Sequence, residues 1–246
     1  MVNAEPVPHL FVVTRPVPLE QLSQLLSYAD PHEPLVWTRG DRGCVGVGDL
    51  LRFEFSGEDR FKDATATWRR VSAAASIDNP VGLPGSGLVA FGTFAFDDRS
   101  TATSLLLVPR FVLSRHDGSA WITEVSTEPI NTDPRLPAAL SRSGWQGTIL
   151  DTKAPDAAYL DGVKGATALI EQGEAEKIVM ARRVLGQIRA QDDVRVPLSR
   201  LAERYTDCWT YAVDGMIGAS PETLIRQIDG RITGRVLAGT RGRRDD

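Results

Sequence analysis

The spacing of apolar residues changes character close to residue 150. Before that point, short apolar or alternating runs predict β-strands at residues 10–14, 35–57, 87–97 and 104–125. Helical spacing is confined to residues 19–28 and to a stripe formed by Phe61, Trp68, Val71 and Ala75. The pair Asp117-Gly118 between two apolar runs predicts a hairpin turn. The first 150 residues are therefore expected to be mostly β.

After residue 150, helices and strands alternate. A helix is predicted from Pro155 to Gly173, because Tyr159, Val163, Ala166 and Ile170 form one apolar stripe. The other predicted elements are a strand at 177–188, a helix at 196–205, and hairpins at 209–220 and 224–239, the second turning at 229–230. This mixture predicts an α+β class with two regions, 1–150 and 151–246.

Composition narrows the functional classes. A chain of 246 residues, 42% hydrophobic, can bury the core of one domain or of two small ones. A net charge of −4 argues against a nucleic-acid partner. Cys44 and Cys208 form no disulfide or metal framework, which favours a reducing compartment. With no signal-peptide pattern and no apolar run of about 18 residues, we expect a cytoplasmic protein outside the membrane.

Glycine clusters and histidines give weak signals. The cluster Gly43, Gly46, Gly48 and the stretch 82–87 lack the lysine or the acidic residue that phosphate and dinucleotide loops require. Glycine more often supplies a turn with positive φ. The histidines are scattered along the chain, at positions 9, 32 and 116. Turns therefore explain the glycines, and no site is predicted on the histidines.

Three positions near the end of the chain carry candidate chemistry. Lys177 stands at the head of an apolar run, where a lysine is usually a solvated strand end and acts as a base only when buried. Glu222 follows small residues and Pro221, where an acid most often begins a helix. The small turn Ala238, Gly239, Thr240 could offer backbone amides to an anionic oxygen, although a plain turn is the commoner explanation.

Taken together, three stretches carry a resemblance that none carries alone. KIVMARRV, GASPETLIR and VLAGTRGR, in this order, resemble the catalytic region of the chorismate-utilising (anthranilate synthase component I-like) enzymes, and among them the isochorismate synthases. VWTRGDRGCVGVGDLLRF and GSGLVAFGTFAFD are similar to the amino-terminal part of the menaquinone type. The resemblance covers most of the chain.

The resemblance implies a fold of two packed antiparallel β-sheets flanked by helices. Chains of that family continue well beyond the turn at 238–240. We therefore expect residues 151–246 to be the first half of the chorismate-binding region, with the fold incomplete at its C-terminus. The complete protein is expected to be a monomer.

The resemblance also implies a reaction, the Mg²⁺-dependent isomerisation of chorismate to isochorismate. Water attacks C2 of the ring while the C4 hydroxyl leaves. Lys177 would be the base, Glu222 the acid, and Ala238, Gly239 and Thr240 would bind a substrate carboxylate. The magnesium ligands are expected beyond the given sequence, so no metal ligand is assigned here.

Two alternatives stay open. Lysine at position 177 is typical of water-using members rather than ammonia-using ones, and Ala238 argues against aminodeoxychorismate synthases, but salicylate synthases share both features. A non-catalytic binding or scaffold remnant is the second alternative. Whether the product serves menaquinone or siderophore synthesis is likewise open.

Overall fold

The protein is described by a computed structural model that covers residues 7–149, 153–237 and 239, with the backbone alone at 153–156. Contacts divide the chain into two compact units. The sheet unit comprises Met1–Arg142 and Asp193–Asp246, and the middle unit comprises Ser143–Asp192. The regions 1–150 and 151–246 drawn from the sequence stay a prediction about the family fold.

The α+β class is confirmed. The strands are β1 Phe11–Val17, β2 Leu35–Arg39, β3 Arg42–Phe55, β4 Ser76–Asp78, β5 Phe91–Thr93, β6 Ser104–His116, β7 Ser119–Ser126, β8 Thr148–Ile149, β9 Gly186–Gln187, β10 Trp209–Val213, β11 Met216–Ser220, β12 Thr223–Ile228 and β13 Arg231–Arg235. The α-helices are α1 Arg60–Ala74, α2 Lys153–Glu171 and α3 Arg195–Arg204. None of the described helices is long and apolar enough to cross a membrane.

A nine-stranded sheet dominates the sheet unit. Its strands run in the order β11-β10-β2-β3-β6-β7-β1-β4, and β5 pairs with β6. All its pairs are antiparallel except β1 with β4. β10 pairs with β2, so that Thr210 lies opposite Thr38. Of the two packed sheets that the resemblance implies, the described residues form this one, together with the ribbons β12–β13 and β8–β9.

Three hairpins turn at Asp-Gly pairs, as the sequence predicts for positions 117 and 229. Each pair has positive φ at both residues, for example 47° at Asp117 and 78° at Gly118. That conformation matches the right-handed twist of the flanking strands and is tolerated by aspartate and glycine. The turns between β6 and β7, β10 and β11, and β12 and β13 are therefore fixed by local sequence.

Helix α1 packs on the sheet with most of the predicted stripe, because Val71 is buried in the core and Trp68 and Ala75 pack against the same cluster. Its buried positions are Arg60, Ala64, Thr67 and Val71, whereas Phe61 is 52% exposed. Phe61 is the one member of the stripe that does not pack there, and its neighbour Arg60 occupies the buried position at the helix start, where it donates hydrogen bonds to the carbonyl oxygens of Gly57, Ala95 and Phe96 at 2.7–2.9 Å. Satisfying a buried guanidinium fixes the rotation of the first turn.

Three elements are shorter than predicted. Residues 19–28 form two 3₁₀-helices, Leu19–Leu22 and Leu25–Tyr28, instead of one helix. The predicted strand 87–97 is reduced to β5, and 177–188 to the two residues of β9. An apolar run becomes a strand only when a neighbour supplies hydrogen bonds, and residues 177–185 pair with none of the described strands.

One buried ion pair closes the sheet unit. Asp193 and Arg195 are 0% and 1% exposed, with Nη2 of the arginine 2.7 Å from a carboxylate oxygen. The guanidinium also donates to the carbonyl oxygens of Ser27, Ala29, Leu140 and Ser141. The network thus ties α3 to the second 3₁₀-helix and to the segment around residue 140.

A second buried carboxylate organises the middle unit. Asp192 accepts hydrogen bonds from the backbone N–H groups of Gln146 and Arg189, each at 2.9 Å, and forms an ion pair with the Arg189 side chain at 3.2 Å. The pKa of Asp192 is lowered, mainly because the backbone N–H of Arg189 donates to its carboxylate. Burial partly opposes this effect, and the N–H of Gln146 adds to it. Helix α2 ends at Glu171, two residues before the predicted Gly173, whose φ of 77° allows the N–H groups of Gly173 and Glu174 to donate back to the carbonyl oxygens of Ile170 and Leu169.

We predict that Arg195→Ala lowers the free energy of unfolding by about 3–5 kcal/mol, because the buried Asp193 carboxylate loses this guanidinium. Denaturant unfolding of the two proteins measures the difference. Arg200→Ala, an exposed change on the same helix, is the control and should cost less than about 0.5 kcal/mol. Equal effects of the two substitutions would contradict the assigned role of the ion pair.

We predict that Asp192 makes the middle unit acid-sensitive. A carboxylate with a lowered pKa stabilises the fold above its ordinary value, and this contribution is lost as the pH falls below that value. Asp192→Asn should lower the melting temperature at pH 7. Its melting temperature should then fall less between pH 7 and pH 3 than that of the wild type. Asp161→Asn, at an exposed carboxylate in the same unit, is the control. A wild-type pH profile in Asp192→Asn would refute the prediction.

Candidate functional site

The Ser220-Pro221-Glu222 motif lies where the chain leaves the nine-stranded sheet. Strand β11 ends at Ser220, and β12 begins at Thr223 in a separate ribbon. Pro221 has no N–H to continue a ladder, which explains the break. The N–H of Glu222 donates to the Ser220 hydroxyl at 3.2 Å, and the Glu222 side chain is exposed. The motif is thus a strand junction and not a helix start.

The ribbon β12–β13 carries the chain toward the predicted substrate-binding turn. Gly239 is exposed, and no heavy atom lies within 4 Å of the position that a Cβ would occupy. A backbone with open space around it is accessible to a ligand. Ala238 and Thr240 lie outside the described residues, so their predicted role stays a prediction.

Lys177 lies in the middle unit, in the irregular segment that follows α2. Its side chain is exposed, while Ile178 and Met180 are half-buried. The Met180 methyl lies 3.0 Å from the position that a Cβ on Gly162 would occupy. Because Gly162 of α2 has no side chain, the segment that carries Lys177 and Met180 can pack closely against the helix. Exposed and half-buried residues therefore alternate along the segment around Lys177, as they would in a strand, although the segment pairs with no described strand.

The predicted base and acid belong to different compact units. Lys177 is in the middle unit, whereas Glu222 and Gly239 are in the sheet unit. Both titratable side chains are exposed. Their assignment as a catalytic pair therefore stays a prediction drawn from the sequence.

The described residues form no cluster of metal-ligating side chains. No group of three or more histidine, cysteine, aspartate or glutamate side chains in the described part of the chain is placed to hold a metal ion. Mg²⁺ takes oxygen ligands, usually from one or two carboxylates. No residue in the described part of the chain is therefore assigned as a magnesium ligand.

Two of the cavities formed by described residues of the sheet unit are considered as candidate ligand sites. One, of about 340 Å³, adjoins the motif: Thr223 and Arg226 line it together with Trp37 and Trp209, whose rings stack 5.4 Å apart. The other, of about 750 Å³, is lined by Arg115 and Thr210 among others. No sequence pattern marks these residues as a site, because a lone arginine or threonine in a strand carries no distinguishing pattern.

The sequence matches the family of chorismate-binding enzymes over residues 3–246. The chain therefore belongs to the chorismate-binding enzyme family. No curated protein matches the chain in sequence. The match includes all three motifs from which the sequence-based resemblance was drawn.

Two solved structures have a similar fold. DhbC of Bacillus anthracis, which carries the assignment 2,3-dihydroxybenzoate-specific isochorismate synthase, superposes with a TM-score of 0.60 at 24% identity, over 92% of this chain and 54% of that one. MenF, the menaquinone-specific isochorismate synthase of Escherichia coli, gives a TM-score of 0.56 at 19% identity, over 91% and 54%. The chain thus spans about half the length of each.

We predict that Lys177→Ala and Glu222→Gln each change the free energy of unfolding of the 246-residue chain by less than about 0.5 kcal/mol, because both side chains are exposed. Chemical denaturation followed by circular dichroism measures this. Val71→Ala, at a fully buried position of α1, is the positive control and should cost about 1–3 kcal/mol. A large loss in either test variant would mean that it supports the fold.

Proposed function

We propose that the protein is an isochorismate synthase, which converts chorismate to isochorismate. The observation that carries the proposal is the family match over residues 3–246, which contains the Lys177, Ser220-Pro221-Glu222 and Ala238-Gly239-Thr240 motifs in order. Both structural neighbours named above carry that activity in their names and share the fold. Their identities below 25% support the fold alone, so the activity rests on the motifs.

In the proposed reaction, Lys177 removes a proton from water as the water oxygen bonds to C2 of the ring. The ring double bonds shift, the C4–O bond breaks, and Glu222 gives its proton to the departing oxygen, which leaves as water. One hydroxyl enters and one leaves, so the product is an isomer. General acid and base assistance of this kind contributes about 10²–10⁴-fold in rate.

These roles require a neutral amine and a protonated carboxyl at the moment of reaction. A pocket with little water favours both forms, because it disfavours each charged one. Both side chains are exposed in the described structure. The proposal therefore includes their enclosure in the substrate-bound enzyme, with the backbone of Gly239 and its neighbours holding a substrate carboxylate. Dependence on Mg²⁺ is proposed from the resemblance alone.

Two other functions have specific support. Salicylate synthase is favoured by the shared Lys177 and Ala238, and it would release pyruvate together with salicylate. A non-catalytic role is favoured by the exposure of Lys177 and Glu222. The two neighbours are named for 2,3-dihydroxybenzoate and for menaquinone, so either pathway is compatible with the proposal.

We predict that the protein expressed from its natural gene converts chorismate to isochorismate in the presence of Mg²⁺, and that Lys177→Ala and Glu222→Gln each reduce turnover by about 10²–10⁴-fold. The double variant should be little slower than either single one, because groups that act on one displacement are non-additive. Chromatographic separation of isochorismate, salicylate and unreacted chorismate measures the outcome.

Asp161→Asn and Arg70→Ala, exposed changes in the two units, are the matched controls and should keep turnover within twofold. Salicylate with pyruvate as the products would select the alternative enzyme. Near wild-type turnover in Lys177→Ala would remove the base assignment, and an absence of any conversion would favour the non-catalytic role.

A further inference from the structure

The smaller cavity of the sheet unit adjoins the Ser220-Pro221-Glu222 motif without including its acid. It has a volume of about 340 Å³, at the lower end of the range for small-molecule sites. Its lining residues come from β2, β3, β6 and β10 of the nine-stranded sheet, from β12, and from the loop at residues 84–85. Neither Glu222 nor Gly239 lines it, so the cavity is distinct from these groups of the proposed reaction.

Strand pairing places aromatic and basic side chains on one face of the sheet. Tyr211 of β10 lies opposite Trp37 of β2, and Trp37 lies opposite Cys44 of β3. Arg39, two residues after Trp37, lies opposite Arg42, two residues before Cys44. Directly opposed residues share a face of the sheet, and so do residues two apart on one strand. The cavity is therefore built on a face that carries aromatic rings beside guanidinium groups.

Two tryptophans give the cavity a flat apolar surface that a ligand can reach. The rings of Trp37 and Trp209 stack with their centroids 5.4 Å apart and their planes inclined by 25°. The stack uses one face of each ring, and Trp37 is 44% exposed while Trp209 is half-buried. Aromatic rings prefer such offset stacking, so a third flat ring can extend the pair.

The charge of the cavity favours an anion. Arg39, Arg42 and Arg226 line it, and the described lining residues include no aspartate or glutamate. None of these three arginines takes part in the ion pairs formed among the described residues. Arg39 and Arg42 are directly opposed, and like charges in that position repel each other. A bound carboxylate would offset this repulsion and accept hydrogen bonds from the planar guanidinium groups.

We propose that this cavity binds a small aromatic carboxylate, whose ring stacks on Trp37 and whose carboxylate is held by Arg39 and Arg42. Residues two apart on a strand are separated by about 7 Å, a distance that a bicyclic aromatic acid spans. Three guanidinium groups without a described counter-ion repel a ligand that also carries an ammonium group, so the site selects acids over amino acids.

The probe is 2-naphthoate, titrated into the 246-residue chain at constant ionic strength. Two matched compounds separate ring from charge: 2-naphthamide has the same shape without the charge, and cyclohexanecarboxylate has the charge without a flat ring. The readout is the set of tryptophan indole N–H signals in a proton–nitrogen NMR spectrum, because a bound aromatic ring shifts the signals close to it. Trp37→Phe and Trp209→Phe assign the two cavity signals, and Trp68 and Trp145, which do not line the cavity, are internal references.

We expect 2-naphthoate to shift the Trp37 and Trp209 signals with one Kd, of about 1 mM or tighter for a ligand of this size. The two matched compounds, and tryptophan as the amino acid, should bind more weakly. Arg42→Gln should weaken binding of 2-naphthoate about 10-fold, because a charge-assisted hydrogen bond is lost. Trp37→Leu should also weaken it, whereas Trp37→Phe should retain most of the affinity. Arg70→Gln, the same charge change at an exposed position of α1, is the control and should leave the affinity within twofold.

The proposal is overturned if 2-naphthoate at tens of millimolar leaves the Trp37 and Trp209 signals in place, or shifts the reference signals equally. Equal binding of 2-naphthamide, or equal affinities of Arg42→Gln and Arg70→Gln, would exclude the arginines as carboxylate ligands and overturn it as well. Equal binding of cyclohexanecarboxylate would exclude the stacking. None of these results depends on isochorismate formation, because the substituted residues take no part in the proposed reaction and the readout is binding alone.

Discussion

The buried pair of Asp193 and Arg195 is the interaction on which the sheet unit depends. Arg195 is the first residue of α3 and Asp193 lies two residues before it, yet the bonds of the arginine reach the 3₁₀ region near residue 28 and the segment near residue 140. Desolvating two charges is costly, and the cost is met only because the guanidinium finds the carboxylate and four carbonyl oxygens together. Distant parts of the sequence must all be in place before this arrangement is favourable.

The anchoring of α3 by the Asp193–Arg195 pair also supports both the sheet and the larger cavity. Helix α3 buries Leu198 in the main core, beside Val36 of β2 and Ala212 of β10. Once α3 is held, β10 can pair with β2, and the cavity is enclosed between the helix, the 3₁₀ region and the sheet. Fold and cavity are therefore consequences of one arrangement, and a change at α3 is expected to affect both.

The elements of the fold that depend on neighbouring residues could be predicted from the sequence, whereas those that depend on distant partners could not. The Asp-Gly hairpins and α2 follow from neighbours in the chain, so they were predicted correctly. Residues 177–188 alternate as a strand should, but pairing depends on partners that no local pattern reveals. On α1 the predicted face is correct for Trp68, Val71 and Ala75, whereas Phe61 is exposed because the neighbouring Arg60 is buried instead, held by carbonyl oxygens some 35 residues away. The motif residues were found by resemblance, whereas Trp37 and Trp209, which line the cavity beside the motif, are brought together only by the pairing of β2 with β10.

The pairing of β2 with β10 also constrains the order in which the protein can assemble during synthesis. The two strands are separated by roughly 170 residues, which a ribosome adds in about 10–30 s. Throughout that interval β2 can form its hairpin with β3, but its other edge offers unpaired N–H and C=O groups. The nascent chain therefore passes through a stage in which the edge of an apolar strand is free to pair with other polypeptides. The yield of folded protein in a cell should depend on how well chaperones cover that edge until residue 213 emerges.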